Sequence, residues 1–464
     1  GGITVPDNDD ANNSLKITGG NIYSNTAGSN GGGVYIGSKL TQTAGNIRNN
    51  TASSNGGGVY LTGTGTLTMS GGSIYSNKAT SHGGGVYLTT AGPASTISGG
   101  NIYSNTASYG GGVSSLRTNG LTISNAKIYN NTASTNGGGV RSTGKLTINS
   151  GFFYGNTNIG VYVAGGSATI NGGKFGVSAY TDYSTYTVSR NTVSQLTIAA
   201  DTTVTINGTS YPRFVSSITD SEAIGANKGI VNNGTLTFSN TSTNATDMYG
   251  TGTSLYNTGT VNINGNFNIL SSGKDGATTV QKRLGIQNTA TGTVTMNSAD
   301  AEIKYCGYRG VVNNGSFTLK AGKIYNCTSA DVTVDNGGGV VVSGDDSAFN
   351  MSGGEIYNNT ANYGGGVYFT TSGAAATFSG GSIYSNTASK SGGGIGNSRT
   401  AGLTLSGTAV YSNKANYGGG VYNAGTLNLK GSNIYSNSAV DSHGGGIYVT
   451  GDNSKLNMTS GTIR

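Results

Sequence analysis

The chain has 464 residues, of which 83 are glycine, 28 tyrosine, three proline and none tryptophan, and only 9% are charged. Disordered chains are rich in charge or proline and poor in aromatic and β-branched residues, so the tyrosines with abundant Val, Ile and Thr exclude disorder, and the lack of a Gly-X-Y period excludes collagen. The net charge of +7 comes from 25 basic and 18 acidic residues spread thinly; with no Lys/Arg run and no long apolar stretch, neither a nucleic-acid partner nor membrane insertion is expected.

From the start of the chain, Gly1-Gly2-Ile3 opens on a strand-like run. DNDDANN at 7–13 then offers Asp7, Asp9 and Asp10 as calcium ligands, without the closing Glu of a calcium loop. NIYSNTAGSNGGGVY follows at 21–35 and returns as IRNNTASSNGGGVY, IYSNKATSHGGGVY and IYNNTANYGGGVY. Self-similarity at about 20–50 residues marks stacked repeats. One turn, read from Gly83, holds three short runs with period-two alternation, at 86–88, 96–98 and 102–104, bounded by Gly, Asn and Ser. Nothing in it has a helical period, and Gly and Asn are too frequent for helices. The inward residue of the third run recurs at Ile22, Ile47, Ile74, Ile102, Ile128 and Phe153, and later at Ile303, Ile324, Ile356, Ile383, Val410, Ile434 and Ile463. The expected fold is all-β, a right-handed three-sided parallel β-helix of about 17 coils. It is read as one solenoid over 1–464, regular in 1–175 and 301–464 and divergent in 176–300. There Tyr180, Tyr183 and Tyr186 cluster, while GIVNNGTLTFS, SLYNTGTVNING and GIQNTATGTVTM still echo the repeat.

Each constant position has a duty in such a stack. Three residues after the inward Ile stands Asn25, Asn50, Asn77, Asn105, Asn131, Asn156, Asn359, Asn386, Asn413 or Asn437. At a coil corner these amides can bond to one another up the stack, and Asn tolerates the left-handed conformation that corners need. Ala two positions later (Ala27, Ala52, Ala79) is a small inward plug, and the triple glycine makes the next corner. Cys306 and Cys327 follow Ile303 and Ile324 by three, so they take the Asn position in consecutive coils. A disulfide is expected there in an oxidising compartment, with two stacked buried thiols as the alternative.

The Tyr beside each inward Ile points outward: Tyr23, Tyr75, Tyr103, Tyr129, Tyr325, Tyr357, Tyr384, Tyr411 and Tyr435. These make aromatic ladders, interrupted by Arg48 and Lys304, that either stabilise an exposed sheet or form a binding face. Tyr35, Tyr60, Tyr87, Tyr368, Tyr422 and Tyr448 form a second, partial ladder. An enzyme acting on polysaccharide needs converging carboxylates, and the best candidates, Asp182, Arg190, Arg213, Asp220 and Glu222, lie in the divergent middle at no recognised spacing. His82 and His443 occupy the same SHGGG corner and read as solvent-exposed. Neither a catalytic centre nor a metal or other cofactor is expected.

The order Ile-x-x-Asn-x-Ala, a short gap, then Gly-Gly-Gly-Val resembles the FxxN and GGA[ILV] tandem repeats of polymorphic outer-membrane autotransporter adhesins, over roughly residues 1–175 and 301–464. Ile stands in place of the family's Phe and Gly in place of its Ala, and the chain carries no autotransporter barrel or cell-wall anchor. The resemblance implies a secreted, cell-surface stalk or binding segment, part of a longer chain, that contacts a host or neighbouring-cell surface, glycan or protein. The first alternative is a filament subunit that associates end to end, since neither end shows a polar cap; the second is a polysaccharide-active enzyme.

Overall fold

The computed structural model describes residues 1–7, 13–182, 185–188, 191–215, 228–240, 245–250, 252–270, 283–329, 336–440 and 443–464, and its regular elements there are all β-strands. The chain forms a parallel β-solenoid in two compact units, residues 1–217 with 227–236, and residues 237–464 with 218–226.

The coil from Val59 shows the plan. Val59–Leu61 lies in a first ladder, Thr66–Met69 in a second, Ser73–Tyr75 in a third, and Lys78–Ala79 makes a short fourth contact before the glycines at 83–85. Each strand pairs in parallel with its counterpart one coil away, in a register that puts like on like: Val34 beside Val59 beside Val86, Leu40 beside Leu67, Ile47 beside Ile74 beside Ile102. Among the described residues, nine strands of the first ladder fall in the first unit and eight in the second, in line with the number of coils expected. Alternation sends one residue in and the next out, so Val59, Leu61, Leu67, Met69 and Ile74 are buried while Tyr60, Thr68 and Tyr75 are half-buried outside.

The corner after the third ladder holds the stack together. Asn50 Nδ2 donates to Asn77 Oδ1 (3.0 Å) and to the Ile22 carbonyl of the preceding coil (3.0 Å), and the Asn50 backbone N–H donates to the same Oδ1 (3.0 Å). The pattern repeats from Asn25 through Asn50, Asn77, Asn105, Asn131 and Asn156, and again through Asn359, Asn386, Asn413 and Asn437. From Asn50 to Asn156 each amide bridges three coils and none is more than 1% exposed. The left-handed residue at this corner is not the ladder Asn, as the sequence suggested, but the one before it: Ser24, Asn49, Ser76, Ser104, Asn130, Asn358 and Ser385 have φ of 51–57°.

The glycines answer to the same amide. Gly56 has φ 66°. A Cβ on Gly57 would lie 2.5 Å from the Lys78 backbone, and one on Gly58 would lie 2.6 Å from the Gly85 carbonyl and 3.0 Å from Asn77 Nδ2. Asn and Gly-Gly-Gly recur together because the buried amide packs against backbone that has no room for a side chain.

The divergent coils keep the plan. The inward third-ladder position becomes Phe153, Phe175 and Phe214, stacked at 4.9 and 4.6 Å. After Phe175 the chain makes an antiparallel excursion, Val177–Asp182 with Thr185–Val188. It then returns to the ladder place with Asn191, whose Oδ1 accepts from Asn156 Nδ2 (3.0 Å) and whose own Nδ2 donates to Gln195 Oε1 (2.7 Å). In the second unit another amide row closes a different corner, at the ends of first-ladder strands: Asn257 donates to Asn288 (2.8 Å), Asn288 to Asn313 (2.7 Å) and Asn397 to Asn423 (2.7 Å).

Asn105→Ala removes the acceptor of the Asn77 backbone N–H and one of the two acceptors of Asn77 Nδ2, and deprives Asn131 Oδ1 of one donor, so the urea midpoint should fall by an amount equivalent to about 3 kcal/mol. The exposed Lys78→Ala, one residue from the ladder, should stay within about 0.5 kcal/mol of the parent. Equal effects would contradict the assignment.

Candidate functional site

The third ladder turns its Tyr rings outward in two rows. In the first unit Tyr75, Tyr103, Tyr129 and Tyr154 stack at 4.8–4.9 Å with their planes 4–6° apart. In the second unit Tyr325, Tyr357, Tyr384, Tyr411 and Tyr435 stack at 4.7–5.0 Å and 5–7°. Strand spacing sets this distance, so each ring face is covered by the next ring and the outer surface offers ring edges and hydroxyls. Tyr154 belongs to the first row although it follows a Phe rather than an Ile; its GFFYGN context, in register with AKIYNN, was the available signal.

Cations flank the rows. Tyr23 is 52% exposed with the Arg48 guanidinium 4.4 Å above its ring, and Arg464 lies 5.3 Å over Tyr435. At the start of the second row Tyr325 donates to Glu302 Oε2 (3.1 Å), which also holds Lys304 (2.8 Å). Burial in the stack, followed by neighbouring phenols, raises the pKa of Tyr103, Tyr129 and Tyr411; burial with Glu355 pushes Tyr384 up to about 12. These four phenols are therefore neutral donors and acceptors at physiological pH.

The first ladder carries the second set of rings. Tyr35, Tyr60 and Tyr87 stack at 5.2 and 5.4 Å, and Tyr422 stacks on Tyr448 at 5.9 Å. His82 is half-buried rather than exposed: its ring lies on Tyr109 at 4.8 Å, its Nδ1 meets Ser81 Oγ at 2.7 Å, and burial with the Arg141 charge lowers its pKa. His443 is exposed.

Of the catalytic candidates, Arg213 is buried on the third ladder beside Lys174. Arg190, Asp220, Glu222 and the side chain of Asp182 lie outside the described residues, as do Asp9 and Asp10 of the calcium candidate; Asp7 accepts from Thr64 Oγ1 (3.1 Å). Among the described residues no group of three His, Cys, Asp or Glu is placed to hold a metal ion.

Two fully buried arginines, Arg117 and Arg399, escaped the sequence reading. Arg117 reaches back two coils, its Nη2 donating to the Gly65 carbonyl (2.6 Å). Arg399 donates to the Ser347 and Ala374 carbonyls (both 2.8 Å) and to Ser347 Oγ (3.0 Å), with its guanidinium 5.1 Å from the Phe369 ring. Each tucks under a loop glycine, Gly92 or Gly373, where a Cβ would collide with the guanidinium. Among the described residues neither faces a carboxylate; carbonyl dipoles compensate the charge, and burial brings Arg399 down to about 10. The signal was an Arg followed by Thr-x-Gly in both SSLRTNG and GNSRTAG.

Cys306 and Cys327 stand buried in the Asn register with no disulfide between them, as the two stacked thiols of the alternative reading. Parallel, in-register strands hold stacked Cβ atoms near the strand spacing of about 4.8 Å, beyond the 3.5–4.5 Å usual for a disulfide. Cys327 instead imitates the amide it replaces, its Sγ 3.4 Å from the Tyr325 carbonyl and 3.9 Å from the Ile303 carbonyl, while its backbone N–H donates to Asn359 Oδ1 (2.9 Å). Alkylation of protein purified without reductant should label two thiols after unfolding and none in the native state; a product with neither thiol reactive after unfolding would show a bridge. No protein-family model, no curated protein and no solved structure matches the chain, so the reading of its surface rests on this geometry alone.

Proposed function

We propose that the chain is a non-enzymatic, adhesin-like binding segment of an extracellular surface protein, akin to the autotransporter repeats that its sequence resembles. The observation that carries this is the pair of outward Tyr rows, whose stacked rings hold neutral hydroxyls at every coil. Such a strip is matched to a partner that offers hydroxyls and amides in series, as a glycan or glycoprotein of a host or neighbouring cell does. A surface of Ser, Thr, Asn and Gly with 9% charged residues suits the extracellular setting. Against a catalytic role, Glu302 and Glu355 of the third ladder are engaged with Lys304, Tyr325 and Tyr384 rather than with each other across a cleft.

Stacking and recognition are separable because they use different parts of the ring. Tyr357→Phe/Tyr384→Phe keeps the stack and deletes two hydroxyls; Tyr357→Ala/Tyr384→Ala deletes both, and should also cost about 1–3 kcal/mol of stability. On a glycan array with immobilised matrix glycoproteins, the Phe variant should lose about tenfold in affinity at unchanged thermal stability. Binding that survives in the Phe variant would show that the rows serve stability alone, and cleavage of an arrayed glycan would overturn the non-enzymatic reading.

A further inference from the structure

The corner leading into the first ladder of the second unit arranges its rings differently. The residue before each triple glycine runs Asn336, Tyr363, Ser391, Tyr417, paired rung to rung. With Ser391 between them, Tyr363 and Tyr417 stand two strand spacings apart, about 9.6 Å, too far for their rings to stack. The outward residue of the adjoining first ladder runs Val341, Tyr368, Gly396, Tyr422. Gly396 leaves a gap, and the Tyr368 ring lies down over it: a Cβ on Gly396 would meet Tyr368 Cδ2 at 2.6 Å, and the Tyr368 hydroxyl reaches Ser398 Oγ at 3.4 Å. Tyr368 thus rests on glycine backbone, and the Tyr363 ring meets it at 6.4 Å and 55° without stacking. Tyr417 is 38% exposed and meets Tyr448 and His443 only at 49° and 67°. The Tyr422 phenol sits among those of Tyr368, Tyr448 and Tyr363, which with burial raise its pKa. Lys390, exposed, places its ammonium 5.0 Å from the Tyr363 ring.

The first unit uses the same corner otherwise. There the Tyr109 ring is covered by His82 at 4.8 Å and by the Arg141 guanidinium at 5.3 Å. In the second unit the Tyr363, Tyr368 and Tyr417 rings instead meet their neighbours at 49–67° without stacking.

We propose that this corner, built on Tyr363, Tyr368, Tyr417 and Tyr422 with Lys390 and His443 at its rim, binds a neutral polysaccharide. The C–H face of a pyranose lies against the electron-rich face of an aromatic ring, and its hydroxyls find the phenols, Ser398 and the Lys390 ammonium. A polyanion calls for a row of bases, and the rim has one lysine. A protein partner calls for apolar anchors in the centre of the patch, and Val341, the aliphatic residue of the outward row, is itself buried. The inference rests on the surface-binding reading above but not on the hydroxyls of the stacked rows.

Affinity electrophoresis of the full chain in native gels containing hydroxyethyl cellulose, mannan or polygalacturonate separates the outcomes. The parent should be retarded by a neutral polymer, and Tyr368→Ala/Tyr417→Ala should weaken that retardation about tenfold. Tyr109→Ala should leave it unchanged, and the exposed Tyr417→Ala alone should already weaken it without a change in thermal stability. Retardation that persists in Tyr368→Ala/Tyr417→Ala, or retardation by polygalacturonate only, overturns the site. Loss in Tyr357→Phe/Tyr384→Phe with retention in Tyr368→Ala/Tyr417→Ala moves binding to the stacked rows and leaves the broader function standing. A parent that no polymer retards refutes the site, while the array decides the broader reading separately.

Discussion

The buried amide of Asn at the corner after the third ladder is the interaction on which the other features depend. Its oxygen takes two donors from one neighbouring coil and its nitrogen gives to both neighbours, so a polar group in a dry interior has its bonds made. That satisfaction sets conditions nearby. The preceding residue must turn left-handed to bring the side chain inward, which admits Ser and Asn. The facing strand must approach without side chains, which admits only glycine. Coils can then lengthen or shrink at the other corners without disturbing the register, and the Ile-to-Ile interval drifts while Ile-x-x-Asn does not.

This dependence explains what could be read in the sequence. The first, second and third ladders, their inward residues and the Asn row follow from period-two alternation and from recurrence. Asn191 was hidden because 35 residues separate it from Asn156, with an antiparallel excursion between them. The left-handed residue was misassigned by one because Asn and Ser both tolerate that conformation, and recurrence alone does not say which of two neighbours adopts it. Of the amide row, Asn257 and Asn288 lay in segments recognised as echoes of the repeat and Asn313 in the stretch read as regular, but Asn-Asn-Gly and Asn-Thr-Gly also read as ordinary turns. Arg117 and Arg399 were passed over for a general reason: a lone basic residue in a loop is nearly always solvated, and their shared Arg-Thr-x-Gly does not by itself show carbonyls from other coils around it.

The surface chemistry follows from the same spacing. Identical residues in register at a strand separation of about 4.8 Å force aromatic side chains into face-to-face stacks. A regular Tyr row therefore consumes its own ring faces and leaves hydroxyls, whereas an irregular row leaves faces open. Ring-face chemistry on such a scaffold is found where the repeat breaks, as at Ser391 and Gly396. The conserved look of the repeat marks stability, and its lapses mark the places with chemistry to spare.

Amide hydrogen exchange across the coils tests the primacy of the corner amide most directly, because the backbone N–H of each ladder Asn donates to the side-chain oxygen of the next. The amides of Asn50, Asn77 and Asn105 should exchange as slowly as those of the Val59–Leu61 and Val86–Leu88 strands. Corner amides exchanging as fast as the exposed loop at 90–94, with the strands still protected, would show that the ladders hold without the amide stack and would contradict the account.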